Sequence, residues 1–172
     1  MNRKEFTYQL LNIKDKLYRF ARRIVGREDE AEDVVQEVVI KLWKKHEGGE
    51  QYNNLEAYGM RMTKNLSLDK LKSKHKQNQQ LETITEPTTS SLNPYQVAEQ
   101  SDTLGRIHGL MQSLPEKQRM VMQLRDIEGM TYQEIAEVLD IPMNQVKVNL
   151  FRARKQIKEQ LLNIESYGLS KH

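Results

Sequence analysis

TYQEIAEVLDIPMNQVKVNLFRARKQIKEQ, Thr131 to Gln160, is the stretch on which the fold of this chain turns. Thr131 and Glu134 fit the T-x-x-E capping box, in which each side chain satisfies a free backbone N–H at a helix start. Ile135 and Leu139 give that short helix its inner side, and Ala136 is small enough for another helix to cross it closely. A tight turn follows around Asp140–Pro142. Val146, Leu150, Ala153 and Ile157 then define the buried face of a second helix. Helix, short turn and helix with a small residue at the crossing is the helix-turn-helix arrangement.

Charge sets the second helix apart. Acids are frequent up to Asp140 and absent from there to Glu159, while Lys147, Arg152, Arg154, Lys155 and Lys158 fall in the gap. Asn144, Lys147, Val148, Phe151, Arg152 and Lys155 share the face opposite the apolar stripe. Basic side chains hold phosphates, and an amide with exposed apolar groups reads base edges and thymine methyls. A carboxylate on that face would be repelled by the DNA backbone. A solvated basic face with Phe151 packed on a neighbour is the plainer alternative. It leaves the capping box, small residue, turn and charge gap coinciding in register without a cause.

Upstream, the 172 residues divide by charge. Residues 1–80 carry 17 basic and 12 acidic side chains, residues 81–103 none and four, and residues 104–172 ten and eight. Two basic halves thus flank an acidic connector, although the net charge is only +3. Phe6, Leu10, Ile13, Leu17, Phe20 and Ile24 predict a first amphipathic helix, ended by Gly26. A second runs from about Glu28 to His46 on Ala31, Val35, Val38, Val39, Leu42 and Trp43. A third, from about Leu55 to Lys76, follows the loop Gly48 to Asn54. Periodicity then fails from Gln77 to about Asp102, where TITEPTTSSLNP has little to bury and reads as a mobile linker. It resumes at Leu104, and Pro115 suits the start of a further helix ending before Gly129. The expected fold is all-α: two small helical domains, residues 1–78 and 104–172, joined by a flexible linker at 79–103.

The third helix ends in a second basic region, with Lys64, Lys70, Lys72, Lys74 and Lys76 opposed only by Asp69. Arg61, Asn65, Leu68 and Lys72 share one of its faces. Tyr52, in the loop before it, offers a ring for stacking on an unpaired base. Without cysteine, disulfides and thiolate metal sites are excluded, and four scattered histidines lack ligand spacing. No cofactor, signal peptide or membrane insertion is expected, which points to a cytoplasmic protein. No nucleophile–base pair, phosphate-cradling loop or carboxylate constellation suggests an enzyme.

These residues resemble the bacterial extracytoplasmic-function (ECF) sigma factors over nearly the whole chain. AEDVVQEVVIKLW, Ala31 to Trp43, is similar to the family's segment that docks on the clamp helices of RNA polymerase. AYGMRMTKNLSLDKLKSK, Ala57 to Lys74, resembles the segment that melts and reads the minus-ten promoter element. LPEKQRMVMQLRDIEGMTYQEIAEVLDI and VKVNLFRARKQI are similar to the minus-thirty-five reader and its recognition helix. The resemblance implies core polymerase (clamp helices and flap), promoter DNA and an anti-sigma factor as partners. It gives Asp33, Gln36 and Glu37 to polymerase contact. Asn65 and Asp69 match the minus-ten segment, with Asn65 placed to line a pocket for a flipped-out base; Tyr52, Arg61, Lys64 and Lys72 surround it. Lys147, Val148, Asn149, Phe151 and Arg152 fall on recognition-helix positions. Pro142, where many relatives carry a capping Ser, and Asp140, often Gly, depart from the pattern, as do Val148 and Asn149. The rival reading is a stand-alone helix-turn-helix regulator; it needs a dimer interface, and no helix is left over for one.

Overall fold

In the computed structural model, residues 1–81 and 103–169 are described. The expected linker, 79–103, lies outside them except at its two ends. Helix α1, Arg3–Val25, starts where the Asn2 side chain accepts the Glu5 N–H at 2.9 Å. Gly26 closes it in the left-handed conformation (φ 79°), returning its N–H to the Arg22 carbonyl. Helix α2, Glu28–Glu47, has acids in its first turn and bases in its last, which complements the helix dipole. Asn54 caps α3, Leu55–Leu81, accepting the Ala57 N–H at 3.0 Å. At Gly59 a Cβ would stand 3.2 Å from Leu17 Cδ2, so α1 and α3 cross closely there.

Helix α3 runs five residues beyond the expected Lys76. Gln77 to Gln79 are exposed and bury nothing, so hydrophobic period gives no sign of them. Gln and its neighbours still propagate a helix that has already nucleated.

The second half contains α4, Thr103–Gln112, α5, Glu116–Met122, α6, Tyr132–Leu139, and α7, Met143–Leu169. Helix α5 continues as a π-helical turn, Gln123–Ile127. That wider turn has no sequence signature of its own, and it buries both Gln123 and Leu124. The Thr131–Glu134 capping box is formed in both directions. Asp140 takes the left-handed conformation (φ 54°), and no other described residue besides glycine has positive φ. This is the turn position at which Asp stands in for the more usual Gly.

Leu110, Met111, Leu114, Met122, Ala153 and Ile157 form a small cluster between α4, α5 and α7. The larger core does not stop at the end of the first half. It continues from Phe6, Leu17, Val38 and Met60 into Val121, Leu124, Ile135, Val138 and Leu150. The expected all-α architecture is therefore present, and its two halves are docked against each other. A polar seam borders the shared core. Arg19 donates two hydrogen bonds to Glu128, at 2.7 and 2.8 Å. Arg23 donates to Gln123 Oε1 at 2.9 Å and to the His108 carbonyl and Gln112 Oε1 at 3.0 Å. Burial, with Arg119 and Arg22 nearby, pushes the Arg23 pKa down to about 10, still well above neutral. It therefore sits in the seam as a cation, held by neutral oxygens.

Candidate nucleic-acid and polymerase interfaces

On α2, the valines at 34, 35 and 38 turn inward and place Asp33, Gln36 and Glu37 together on the exposed side. Asp33 pairs with Lys70 at 3.4 Å and Glu37 with Lys41 at 3.1 Å. Both pairs are open to solvent and contribute little to stability, so a partner can displace them at small cost. Ile40 extends the same stripe and is also exposed. The sequence reading passed over it, because one exposed isoleucine on an amphipathic helix has no pattern to mark it.

The loop before α3 and the start of α3 line a groove of about 310 Å³. Tyr52, Asn54 and Arg61 contribute to it, as do Glu137 and Val138 from α6. The Tyr52 ring stands 5.1 Å from Tyr58 and 6.2 Å from Phe6, and its hydroxyl donates to the Leu42 carbonyl at 3.4 Å. The ring expected to stack on a base is thus already committed to aromatic neighbours. Burial is the main cause that pushes its phenol pKa up.

Arg61, Asn65, Asp69 and Lys72 are exposed along α3. Lys64 corrects the expectation of an outward lysine, since only 9% of it remains accessible. Burial lowers its pKa, the Arg61 guanidinium lowers it further, and the Asp140 carboxylate at the end of α6 opposes them. The Asp140 carboxylate brings the second half to bear on this lysine, a proximity that local sequence could not announce.

Helix α7 divides as its pattern predicts. Val146, Leu150, Ala153 and Ile157 are buried, whereas Asn144, Lys147, Val148, Arg152 and Lys155 are exposed. Phe151 is 67% exposed, so it does not pack on a neighbour. Asn149 is half-buried, and its amide donates to the Gln145 carbonyl at 2.8 Å, back along its own helix. Its outward reach is therefore smaller than that of Lys147 or Arg152.

Tyr132 joins this face without having been singled out in the sequence. Arg125 stacks over its ring at 4.6 Å from the centroid, and the Lys147 ammonium lies 6.0 Å from it. Tyr132, Lys147, Phe151, Arg154 and Lys155 line one shallow depression. Lys147 is fifteen positions beyond Tyr132 and on another helix, so no periodicity connects them. Arg154 is held sideways by Asp126, with Nε to Oδ2 at 3.0 Å, and its pKa is raised by that bond.

Residues 12–77 match the family described as Sigma-70 region 2, and residues 104–157 match Sigma-70, region 4. The ECF RNA polymerase sigma factor SigE of Mycolicibacterium smegmatis is 29% identical over 149 residues, covering 86% of this chain and 58% of that protein. This chain therefore spans a little over half the length of that relative. SigW of Bacillus subtilis, also an ECF RNA polymerase sigma factor, is 25% identical over 160 residues, covering 88% of this chain and 86% of SigW. Among solved structures, the sigma factor RpoE in complex with the anti-sigma factor NepR from Bartonella quintana superposes with a TM-score of 0.75. It is 25% identical, with 92% of this chain and 97% of that one covered. CnrH, solved with the cytosolic domain of CnrY, shares the fold at a TM-score of 0.65 and 21% identity, with 93% of this chain and 89% of that one covered.

Proposed function

The chain belongs to the ECF sigma factors of the sigma-70 family, and from that premise we propose that it binds core RNA polymerase and directs promoter-specific initiation. The observation that carries the reading is the pairing of both sigma-70 regions, in order, with an exposed basic and apolar face on the second helix of a helix-turn-helix. Polymerase supplies the chemistry; this chain supplies the address.

Asp33, Gln36 and Glu37 dock on the clamp helices, and the second half reaches the flap. Arg61, Asn65, Asp69 and Lys72 take the minus-ten strand. A base extruded there loses stacking worth a few kcal/mol, which a shaped pocket must offset. Helix α7 enters the major groove at the minus-thirty-five element. There Lys147, Arg152 and Lys155 meet phosphates or guanine edges, and Val148 and Phe151 meet apolar base surface. An anti-sigma factor holds the chain in reserve, a reading supported by the NepR bound to RpoE in the Bartonella complex. Among the described residues no helix is long and apolar enough to cross a membrane. The site of action is the cytoplasm, where the polymerase works.

Copurification with core polymerase, followed by transcription of genomic fragments with the reconstituted holoenzyme, tests this directly. The expected result is a stoichiometric complex that initiates at a restricted set of sites. A chain that leaves polymerase unbound, or start sites identical to those of core enzyme alone, would overturn it.

A further inference from the structure

The π-helical turn after α5 hands two consecutive side chains to the helix-turn-helix. With Gln123 and Leu124 both buried, Arg125 and Asp126 are left to reach outward. Arg125 stacks over the Tyr132 ring and donates to the Met130 carbonyl at 2.8 Å, just before α6. Asp126 reaches the other helix of the pair. Its two oxygens accept from Arg154 Nε at 3.0 Å and from Arg154 Nη2 at 2.5 Å. This is the two-pronged geometry in which one carboxylate fills the guanidinium fork.

Arg154 is the cation that this pair takes out of use. It follows Lys147 by seven positions, about two helical turns, so it falls on the same flank of α7. It also lines the depression that holds Lys147, Phe151, Lys155 and Lys158. Its side chain is 50% accessible, so burial does not keep it from a phosphate. What keeps it is Asp126, whose carboxylate already neutralises the charge. Between Asp140 and Glu159 the sequence puts no acid on α7, so this carboxylate comes to the reader from another element. We infer that Asp126 limits the sequence-independent affinity of the reader: it tethers Arg154 and withholds one cation from the DNA backbone. The inference rests on the reading of α7 as the helix that meets duplex DNA. A phosphate contact strengthens binding to every sequence alike and holds the protein longer on DNA that carries no promoter. With the tether in place, Lys147, Val148, Phe151 and Arg152 still face the groove, and one contact without sequence information is left out. An exposed pair of this kind is open to exchange, so loss of the carboxylate frees the guanidinium at once for the next anion.

A fluorescein-labelled duplex of mixed sequence, titrated with the full chain at several salt concentrations, tests the tether. Asp126→Ala should tighten binding about fivefold or more at low salt and steepen the salt slope by about one, because Arg154 gains a phosphate. Asp126→Ala with Arg154→Gln removes both members of the pair and should return affinity and slope to those of the parent. The double variant separates the tether from simple repulsion, since Asp126 is absent from both chains. A gain that survives in the double variant would mean that Asp126 only repelled DNA, and overturns the inference. So does Asp126→Ala with an unchanged slope, or with weaker binding, the mark of a pair that merely holds α7 in place. Asp126→Asn supplies the same comparison if Asp126→Ala loses its helical circular dichroism. All these outcomes leave the sigma-factor reading intact. A parent that leaves the duplex unbound at every salt concentration strikes the reading of α7 itself, and the tether with it.

Discussion

Helices α3 and α7 are the two candidate readers of this molecule, and they are presented in opposite ways. On α7 the outward face is free, with Phe151 67% and Val148 45% exposed between basic side chains. On α3 Lys64 is buried, Asn54 is bonded across to Glu134, and only the side bearing Arg61, Asn65, Asp69 and Lys72 looks outward. The difference matches what each must read. A duplex groove exists before the protein arrives, so a rigid exposed helix is enough. An unpaired strand exists only after opening, so its binding surface is needed only once polymerase is in place.

The largest effect expected comes from the scaffold that keeps α7 rigid. Leu150 and Phe151 are neighbours in sequence with opposite surroundings, 2% and 67% exposed. Leu150→Ala should cost about 2–5 kcal/mol of stability, because it opens a cavity in a core shared by both halves. Phe151→Ala should leave stability within about 0.5 kcal/mol of the parent. Chemical denaturation of both variants checks the pair. Equal losses would mean that Phe151 is a core residue and α7 is rotated from the position described.

A second experiment separates the readers by way of polymerase. Asp33→Arg with Glu37→Arg reverses two charges on the exposed side of α2 and spares its buried valines. Polymerase affinity should fall on the order of 100-fold, since like charges then face the docking partner. Binding of the free chain to a minus-thirty-five duplex should be unchanged, because the reversed charges lie on α2 and the duplex meets α7. Undiminished polymerase binding would move the docking surface elsewhere.

The sequence made one side of this comparison far more legible than the other. The split of α7 into Val146, Leu150, Ala153 and Ile157 against Lys147, Val148 and Phe151 follows from a 3.6-residue period and a charge gap, both local. The capping box and the left-handed Asp140 were equally readable, because each depends on a few adjacent residues. Docking of the halves was not. The contact between Arg19 and Glu128 spans more than a hundred positions, and nothing near either residue marks it. Burial of Lys64 was equally unmarked, because nothing next to it in sequence separates it from the exposed lysines of α3. The π-helical turn escaped for another reason: its residues, Gln123–Ile127, suit an α-helix equally well.

Asn65 tests the reader on α3 with a smaller effect. Asn65→Ala should reduce promoter opening about tenfold, as expected for losing a buried hydrogen bond to an extruded base. Initial association with closed duplex should stay nearly constant. Permanganate reactivity or a fluorescent base reports opening, and a pre-melted bubble template should partly rescue transcription. Normal melting in the variant would remove Asn65 from the strand pocket.

The smallest effects sharpen the account of α7 itself, because they divide its face by kind of contact. Lys147 stands near the Tyr132 ring, itself stacked by Arg125, and stays exposed. If that ammonium holds a phosphate, Lys147→Ala should weaken all sequences alike and reduce the salt slope of binding by about one. If it reads a guanine edge, preference should relax at one base pair instead, by roughly 1–3 kcal/mol. Phe151→Ala should lower affinity with no change of slope, since it removes apolar contact and no charge. Titrations of duplex promoter at several salt concentrations distinguish these results. A slope change in Phe151→Ala but not in Lys147→Ala would reverse the assignment of the two side chains.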